Sequence, residues 1–148
     1  NAAKRVLVLN GPNLNLLGER EPEIYGTATL ADHVAAATSQ AAELGLHLEN
    51  MQSNSSAEIV NTIHSARGVY DAIIINPGAF THYAWSIHDA LAAFSGPVVE
   101  VHLSNPGTRE VWRHQSVIAP VASGTIAGFG GNSYVLAVQA VARLLATK

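Results

Sequence analysis

The sequence contains no cysteine, which excludes disulfide scaffolds, thiolate metal sites and thiol redox chemistry. Lysine is nearly missing. Six of the eight basic residues are arginine, and the two lysines, Lys4 and Lys148, stand at the ends of the 148-residue chain. An imine-forming lysine therefore has no interior candidate. Charge of either sign is scarce, 13% of residues against about 25% in an ordinary soluble domain. The net charge of −3 comes with no clustered basic face, so neither nucleic acid nor an anionic membrane surface is an expected partner. No apolar run approaches the roughly 18 residues of a membrane span. The run Val6–Leu9 is too short for the core of a secretion signal, so the cytoplasm is the expected location. What is plentiful is apolar residues, 48% of the chain, enough for one core in a single domain over residues 1–148. A surface so short of charge also suggests that neighbouring subunits cover part of it.

The apolar residues fall into alternating β and α patterns. Val6 to Leu9 is a continuous β-prone run that stops at Asn10-Gly11-Pro12, and continuous apolarity marks a strand buried on both faces. Residues 10–26 carry three Gly, two Pro, three Asn and four charges and read as a long loop. Thr29 with Asp32 forms a capping box for a helix ending near Leu44, before Gly45. Leu46 to Met51 reads as a second strand, and Ser55 with Glu58 opens a second helix that stops near Gly68. Ala72 to Ile75 is the third strand. A helix from Tyr83 to Phe94 follows, stopped by Gly96-Pro97, and then strand four, Val98 to His102. Residues 103–123 are irregular, with one helical turn around 109–114; strand five starts at Thr125 and a last helix spans Ser133 to Leu145. Strands alternating with helices predict an α/β fold: a flavodoxin-like, doubly wound, five-stranded parallel sheet with helices on both faces. Ligands in such folds sit beyond the carboxyl ends of the strands.

Polar residues gather at those ends. Asn10, Asn13, Asn15, Arg20 and Tyr25 follow strand one. Asn76, Thr81 and His82 follow strand three; Glu100, His102, Ser104, Asn105, Arg109 and Arg113 belong to strand four and the residues after it. Several also fit plain structural roles: Asn10 and Asn13 suit turns, Tyr25 a loop anchor, Arg20 an ion pair among three glutamates, and His82 a helix cap. Glu100 and His102 are two apart on a strand, hence on one face, where a buried carboxylate needs a partner. His33, His47, His64, His88 and His114 read as surface or packing residues. His82 and His88, six apart, lack the i, i+4 spacing of a helical zinc pair, so no metal is expected. There is no G-x-G-x-x-G and no Walker A loop, which argues against nucleotide or flavin. A small, anionic, hydroxylated ligand fits such a cluster.

Four segments, in order, are specific enough to name a family. Asn10-Gly11-Pro12-Asn13-Leu14-Asn15-Leu16-Leu17-Gly18-Glu19-Arg20-Glu21-Pro22-Glu23-Ile24-Tyr25-Gly26 resembles the signature loop of the type II 3-dehydroquinate dehydratases. Gln52-Ser53-Asn54, Asn76-Pro77-Gly78-Ala79-Phe80-Thr81-His82 and Glu100-Val101-His102-Leu103-Ser104-Asn105 are similar to that family's later motifs, and Arg109-Glu110, Arg113-His114, Gly128-Phe129-Gly130 and Tyr134 follow at matching spacing. The resemblance implies anti elimination of water from 3-dehydroquinate without cofactor or metal. It implies Tyr25 as the base, Asn13 beside a water that stabilises an enolate, and His102 as general acid oriented by Glu100. A free tyrosine ionises only near pH 10, so Arg20, with Arg113 as second cation, is the expected source of positive charge. Asn76 and the N–H groups of Leu103 and Ser104 would hold the substrate carboxylate, and His82 and Arg113 its hydroxyls. Asp89 resembles a residue that serves a neighbouring subunit's site in a dodecamer built as a tetramer of trimers.

The chain departs from the family pattern at Ser55-Ser56-Ala57, where His-Glu-Gly is usual, at Gly107, where His is common, and at Gln115 and Ser133. None of these is assigned to proton transfer. The rival reading is a catalytically silent module that binds a small hydroxy acid. It has no need of a tyrosine beside an arginine.

Overall fold

In the computed structural model, which describes residues 2–147, five parallel strands form one sheet in the order β2-β1-β3-β4-β5. The strands are β1 (Lys4–Asn10), β2 (Leu46–Gln52), β3 (Ala72–Asn76), β4 (Val98–His102) and β5 (Gly124–Ala127). The helices are α1 (Pro22–Tyr25), α2 (Leu30–Glu43), α3 (Ser56–Ala66), α4 (Trp85–Ala92) and α5 (Asn132–Ala146). This is the doubly wound order expected from the alternation of strands and helices. None of the described helices is long and apolar enough to cross a membrane.

The pleat divides the core in two. Val6, Val8, Ala72, Ile74, Val99 and Val101 pack under Ala37 and Ala41 of α2 and Tyr134, Ala137, Val138 and Val141 of α5. Leu7, Leu9, Ile73, Ile75 and Val98 pack on the other face under Ile59 and Ile63 of α3 and Ile87 and Leu91 of α4. The central strands therefore need apolar side chains at every position, which is why they read as unbroken runs. At the start of α2 both capping-box bonds form: the Asp32 N–H donates to Thr29 Oγ1 at 3.1 Å and the Thr29 N–H to Asp32 Oδ2 at 2.9 Å. At α3 Ser55 Oγ accepts from the Glu58 N–H at 3.2 Å.

Three elements differ from the sequence expectation. The loop 10–26 contains a 3-10 turn, Leu14–Leu16, and the one-turn helix α1, entered through Glu21 with a positive φ of 41°. The helix expected from Tyr83 to Phe94 is shorter, α4 running from Trp85 to Ala92, and a 3-10 turn, Gly78–His82, precedes it. Ala84 at the N-cap has ψ 78°, which delays the helix, and the turn before it holds Thr81 where its hydroxyl reaches Glu100 on β4. Residues 103–123 hold three 3-10 turns rather than one, at Pro106–Thr108, Val111–Arg113 and Ala119–Val121.

Between β1 and β3, the pair flanking the point where the strand order reverses, two backbones meet closely. A Cβ on Gly11 would lie 2.3 Å from the Pro77 carbonyl oxygen. Glycine at 11 thus permits the exits of β1 and β3 to come together, joined by the Gly11 N–H donating to the Asn76 carbonyl at 2.8 Å.

His33, on α2, is buried and stacks on Tyr134 at 5.9 Å between centroids, and its Nε2 has no hydrogen-bond partner. Burial pushes its pKa below the ordinary histidine value, opposed only by the nearby charge of Asp32. The unfolded chain takes up this proton first as pH falls, so the stability gained by keeping His33 neutral is present above about pH 6.5 and is lost below it. The urea midpoint is expected to drop between about pH 7.5 and about pH 5.5, and to drop less in His33→Phe, which keeps the stacking but has no proton to bind. An equal drop in both proteins would remove His33 from this role.

Candidate active site

A cavity of about 80 Å³ opens at the carboxyl ends of β1, β3 and β4. Asn13, Arg20, Tyr25, Asn76, His82, His102, Leu103, Ser104 and Arg113 all line it. Residues from four separate segments thus share one space. Glu100 lies behind His102, fully buried. Asp89 stands apart on α4, its side chain 81% exposed and paired with His88 at 2.8 Å.

Tyr25 sits between two guanidiniums. The carbon of the Arg20 head group lies 5.0 Å from the ring centroid and that of Arg109 lies 5.2 Å from it. Arg109 Nη1 donates to the Tyr25 hydroxyl at 2.8 Å and to Ser104 Oγ at 3.3 Å. The second cation at the phenol is therefore Arg109, where the sequence pointed to Arg113. Arg113 still lines the cavity, but its Nε donates to Glu110 at 2.6 Å and its head group covers Trp112 at 3.9 Å. Arg109 is 84 residues from Tyr25 and comes from the irregular segment, so no spacing rule links them. The sequence signals for it were its place among the polar residues after strand four and the family-like spacing of Arg109-Glu110, neither of which pointed to Tyr25.

His102 Nε2 lies 2.6 Å from Glu100 Oε2. The carboxylate also accepts from the Thr81 hydroxyl at 2.5 Å and from the Ser116 hydroxyl at 2.9 Å. Burial works to raise the Glu100 pKa, but the bonds from His102, Thr81 and Ser116 outweigh it and hold the group below the usual carboxylate range. An ionised Glu100 is acceptor-only, so Nε2 of His102 carries the proton and Nδ1 is the nitrogen left for other partners.

His82 donates from Nδ1 to the Gln115 carbonyl at 2.7 Å. Burial lowers its pKa, helped by the positive fields of His102 and Arg113 and opposed by the Gln115 carbonyl and Glu100, so it stays neutral with Nε2 unprotonated. Asn76 is 2% exposed and its amide is already oriented: Oδ1 accepts from the Gly78 N–H at 3.2 Å and Nδ2 donates to the Tyr134 hydroxyl at 3.0 Å. Tyr134 in turn donates to Asn10 Oδ1 at 2.5 Å. Burial pushes the Tyr134 hydroxyl far above its ordinary pKa, so it is a neutral relay of orientation rather than a titrating group. Asn13 holds a left-handed backbone, φ 66°, anchored by its N–H donating to Asn54 Oδ1 at 3.0 Å. Leu103 and Ser104 begin just past His102, the last residue of β4 to pair with β5. Among the described residues no three His, Asp or Glu side chains converge in a way that would hold a metal ion.

A phenol beside two guanidiniums and an imidazole backed by a carboxylate, lining one cavity, are groups able to take and give protons to a small molecule. Comparison with known proteins points the same way. The family model described as Dehydroquinase class II matches residues 4–142. A 3-dehydroquinate dehydratase of Desulforudis audaxviator is 55% identical over 141 residues, 95% of this chain and 94% of the relative. A catabolic 3-dehydroquinase of Verticillium alfalfae is 51% identical, with 99% and 97% covered. The crystal structure of a type II dehydroquinase from Propionibacterium acnes superposes with a TM-score of 0.92 at 44% identity, covering 97% of this chain and 99% of that one.

Proposed function

The chain belongs to the class II dehydroquinases and removes water from 3-dehydroquinate, a step of the shikimate pathway, and we propose that it does so by anti elimination through an enolate, with Tyr25 as base and His102 as acid. The observation that carries this reading is the hydrogen bond from Arg109 to the Tyr25 hydroxyl, made in the same cavity as the His102–Glu100 pair. The guanidinium N–H on the phenolic oxygen and Arg20 beside the ring put two cations at the group assigned as base.

Phenolate takes the proton from the carbon beside the ketone, and the electron pair moves onto the ketone oxygen as an enolate. Asn13, which lines the cavity, is assigned to a water that donates to that oxygen. The enolate then collapses, the bond to the β-hydroxyl breaks, and His102, acting as an imidazolium whose Nε2–H stays on Glu100, gives the leaving oxygen its Nδ1 proton, so water departs, the enone forms and the ring is left neutral. Tyr25 ends protonated and His102 deprotonated, and exchange with solvent resets both. The Asn76 amide and the Leu103 and Ser104 N–H groups are assigned to the substrate carboxylate, and neutral His82 and Arg113 to its hydroxyls. The whole chain acts as one catalytic unit in this reading.

The test is absorbance, since the conjugated product absorbs where the substrate does not. Turnover of 3-dehydroquinate is expected; silence across a pH series at high enzyme concentration would favour the binding-module rival.

Assembly is part of the proposal: a homododecamer of four trimers, with Asp89 serving the site of a neighbouring subunit. The sparse charge supports covered surface, and Tyr83 and Trp85 are 61% and 56% exposed at the start of α4. Asp89 reaches outward from the same helix, away from its own cavity. Light scattering is expected to give the dodecamer mass. Co-expressed Asp89→Ala and Tyr25→Phe chains are expected to regain part of the activity that each lacks alone, because some mixed sites hold both groups intact. An active monomer refutes the assembly, and mixed oligomers without activity count against Asp89. A cytoplasmic location is proposed with it, and cell fractionation checks it.

A further inference from the structure

The strap 115–117 is sewn to the turn before α4 by successive bonds. The Gln115 carbonyl accepts from His82, and the Val117 N–H donates to the Thr81 carbonyl at 2.7 Å. Between them, Ser116 is delivered to Glu100. A serine hydroxyl has one proton and two acceptor sites. Both acceptor sites of Ser116 are taken by backbone N–H groups, from Ile118 at 3.1 Å and Ala119 at 3.0 Å. Its proton is left for the carboxylate, whose two oxygens both lie 2.9 Å away, or for Thr81 Oγ1 at the same distance, and the charged acceptor is the stronger of the two. Thr81 donates its own proton to Oε2 of the same carboxylate. We propose that Ser116 is a positioning residue for the reaction: it locks Glu100 as an ionised, fixed acceptor, which in turn holds the Nε2–H of His102 and leaves Nδ1 as the nitrogen that serves the cavity.

Glu100 is shielded from water, so nothing but these donors orients it. The charged and titratable neighbours of this carboxylate are His102 on β4 and His82 on the turn 78–82, with Arg113 beside His82. Ser116 touches only the carboxylate, Thr81 and its own strap, and acts through Glu100. The kinetic consequence rests on the reading that His102 protonates the leaving hydroxyl; the state of Glu100 does not.

Two measurements on Ser116→Ala decide it. Carbon-13 NMR of the labelled Glu100 carboxylate follows its titration, which is expected to move upward when the donor is lost. Turnover of 3-dehydroquinate is expected to fall about 10–30-fold in kcat, with KM changed less than about twofold. Ser116→Thr, which keeps the hydroxyl, is expected to restore both. An unmoved Glu100 midpoint in the folded alanine variant overturns the assignment, as does a moved midpoint with kcat within about twofold of the wild-type value. If Ser116→Ala does not fold, Ser116→Cys, with a weaker donor of similar shape, must show the upward shift, and an unmoved midpoint there also overturns it. Absence of turnover in the wild-type chain would instead count against the dehydratase reading, and the Glu100 midpoint would still decide the place of Ser116.

Discussion

Tyr25→Phe is expected to lower kcat by at least about 10²–10⁴-fold while leaving the fold unchanged. The substitution removes only the oxygen that Arg109 Nη1 donates to, and keeps the ring between the two guanidiniums. The ring is half-buried at the end of a one-turn helix whose other residues are exposed, and packs against the core from outside. Far-ultraviolet circular dichroism and the urea midpoint should therefore match the wild-type values. Exchange of the substrate α-proton with solvent should be lost together with product formation, since both need the base. Near-normal turnover in the Phe variant would remove Tyr25 from its role, and an unfolded variant would show that the hydroxyl is structural.

His102→Ala is expected to separate the two halves of the reaction. Loss of the general acid should slow product formation by about 10²–10³-fold, with a much smaller effect on exchange of the α-proton. The reason is positional: His102 is held by Glu100 on β4, whereas the phenol is held by Arg109 and Arg20 on loops. Deuterium incorporation into recovered substrate, measured beside product absorbance on one sample, reads both steps. Equal slowing of both would sink the assignment of His102 to the later step. A side effect is also expected at Glu100, which loses one of its donors and becomes easier to protonate. The stability that ionised Glu100 contributes above the unfolded carboxylate pKa, and loses as pH falls below it, should thus be smaller in this variant, so its urea midpoint should drop less on acidification.

The departures from the family pattern find ordinary places. Ser55 caps α3 through the Glu58 N–H, and Ser133 Oγ accepts from the Phe129 N–H at 3.2 Å, closing the turn into α5. Gln115 meets the site only through its backbone carbonyl, so its side chain is free to differ. Gly107 lies in the turn 106–108, where its N–H donates to Asn105 Oδ1 at 3.1 Å. Gly107 and Gln115 line a cavity next to His102 and Glu100.

The sequence by itself determined whatever depends on local period and local chemistry. Unbroken apolar runs are the mark of strands covered on both faces, and the alternation with helices leads to the parallel sheet. The two-residue spacing of Glu100 and His102 puts them on one face, where they meet at 2.6 Å. The caps at Thr29 and Ser55 follow from residues three apart. Tertiary structure alone decided which side chains meet across the cavity. Arg109 reaches Tyr25, Ser116 reaches Glu100, and Tyr134 reaches Asn10 and Asn76, over separations of 84, 16, 124 and 58 residues. Such contacts are set by the packing of crossover helices and by the aperiodic stretch 103–123, where no repeat in the chain encodes direction. The start of α4 belongs with them: the local pattern begins the helix at Tyr83, but Ala84, with ψ 78°, delays it to Trp85, after a turn whose Thr81 and His82 are bonded to β4 and to the 115–117 strap.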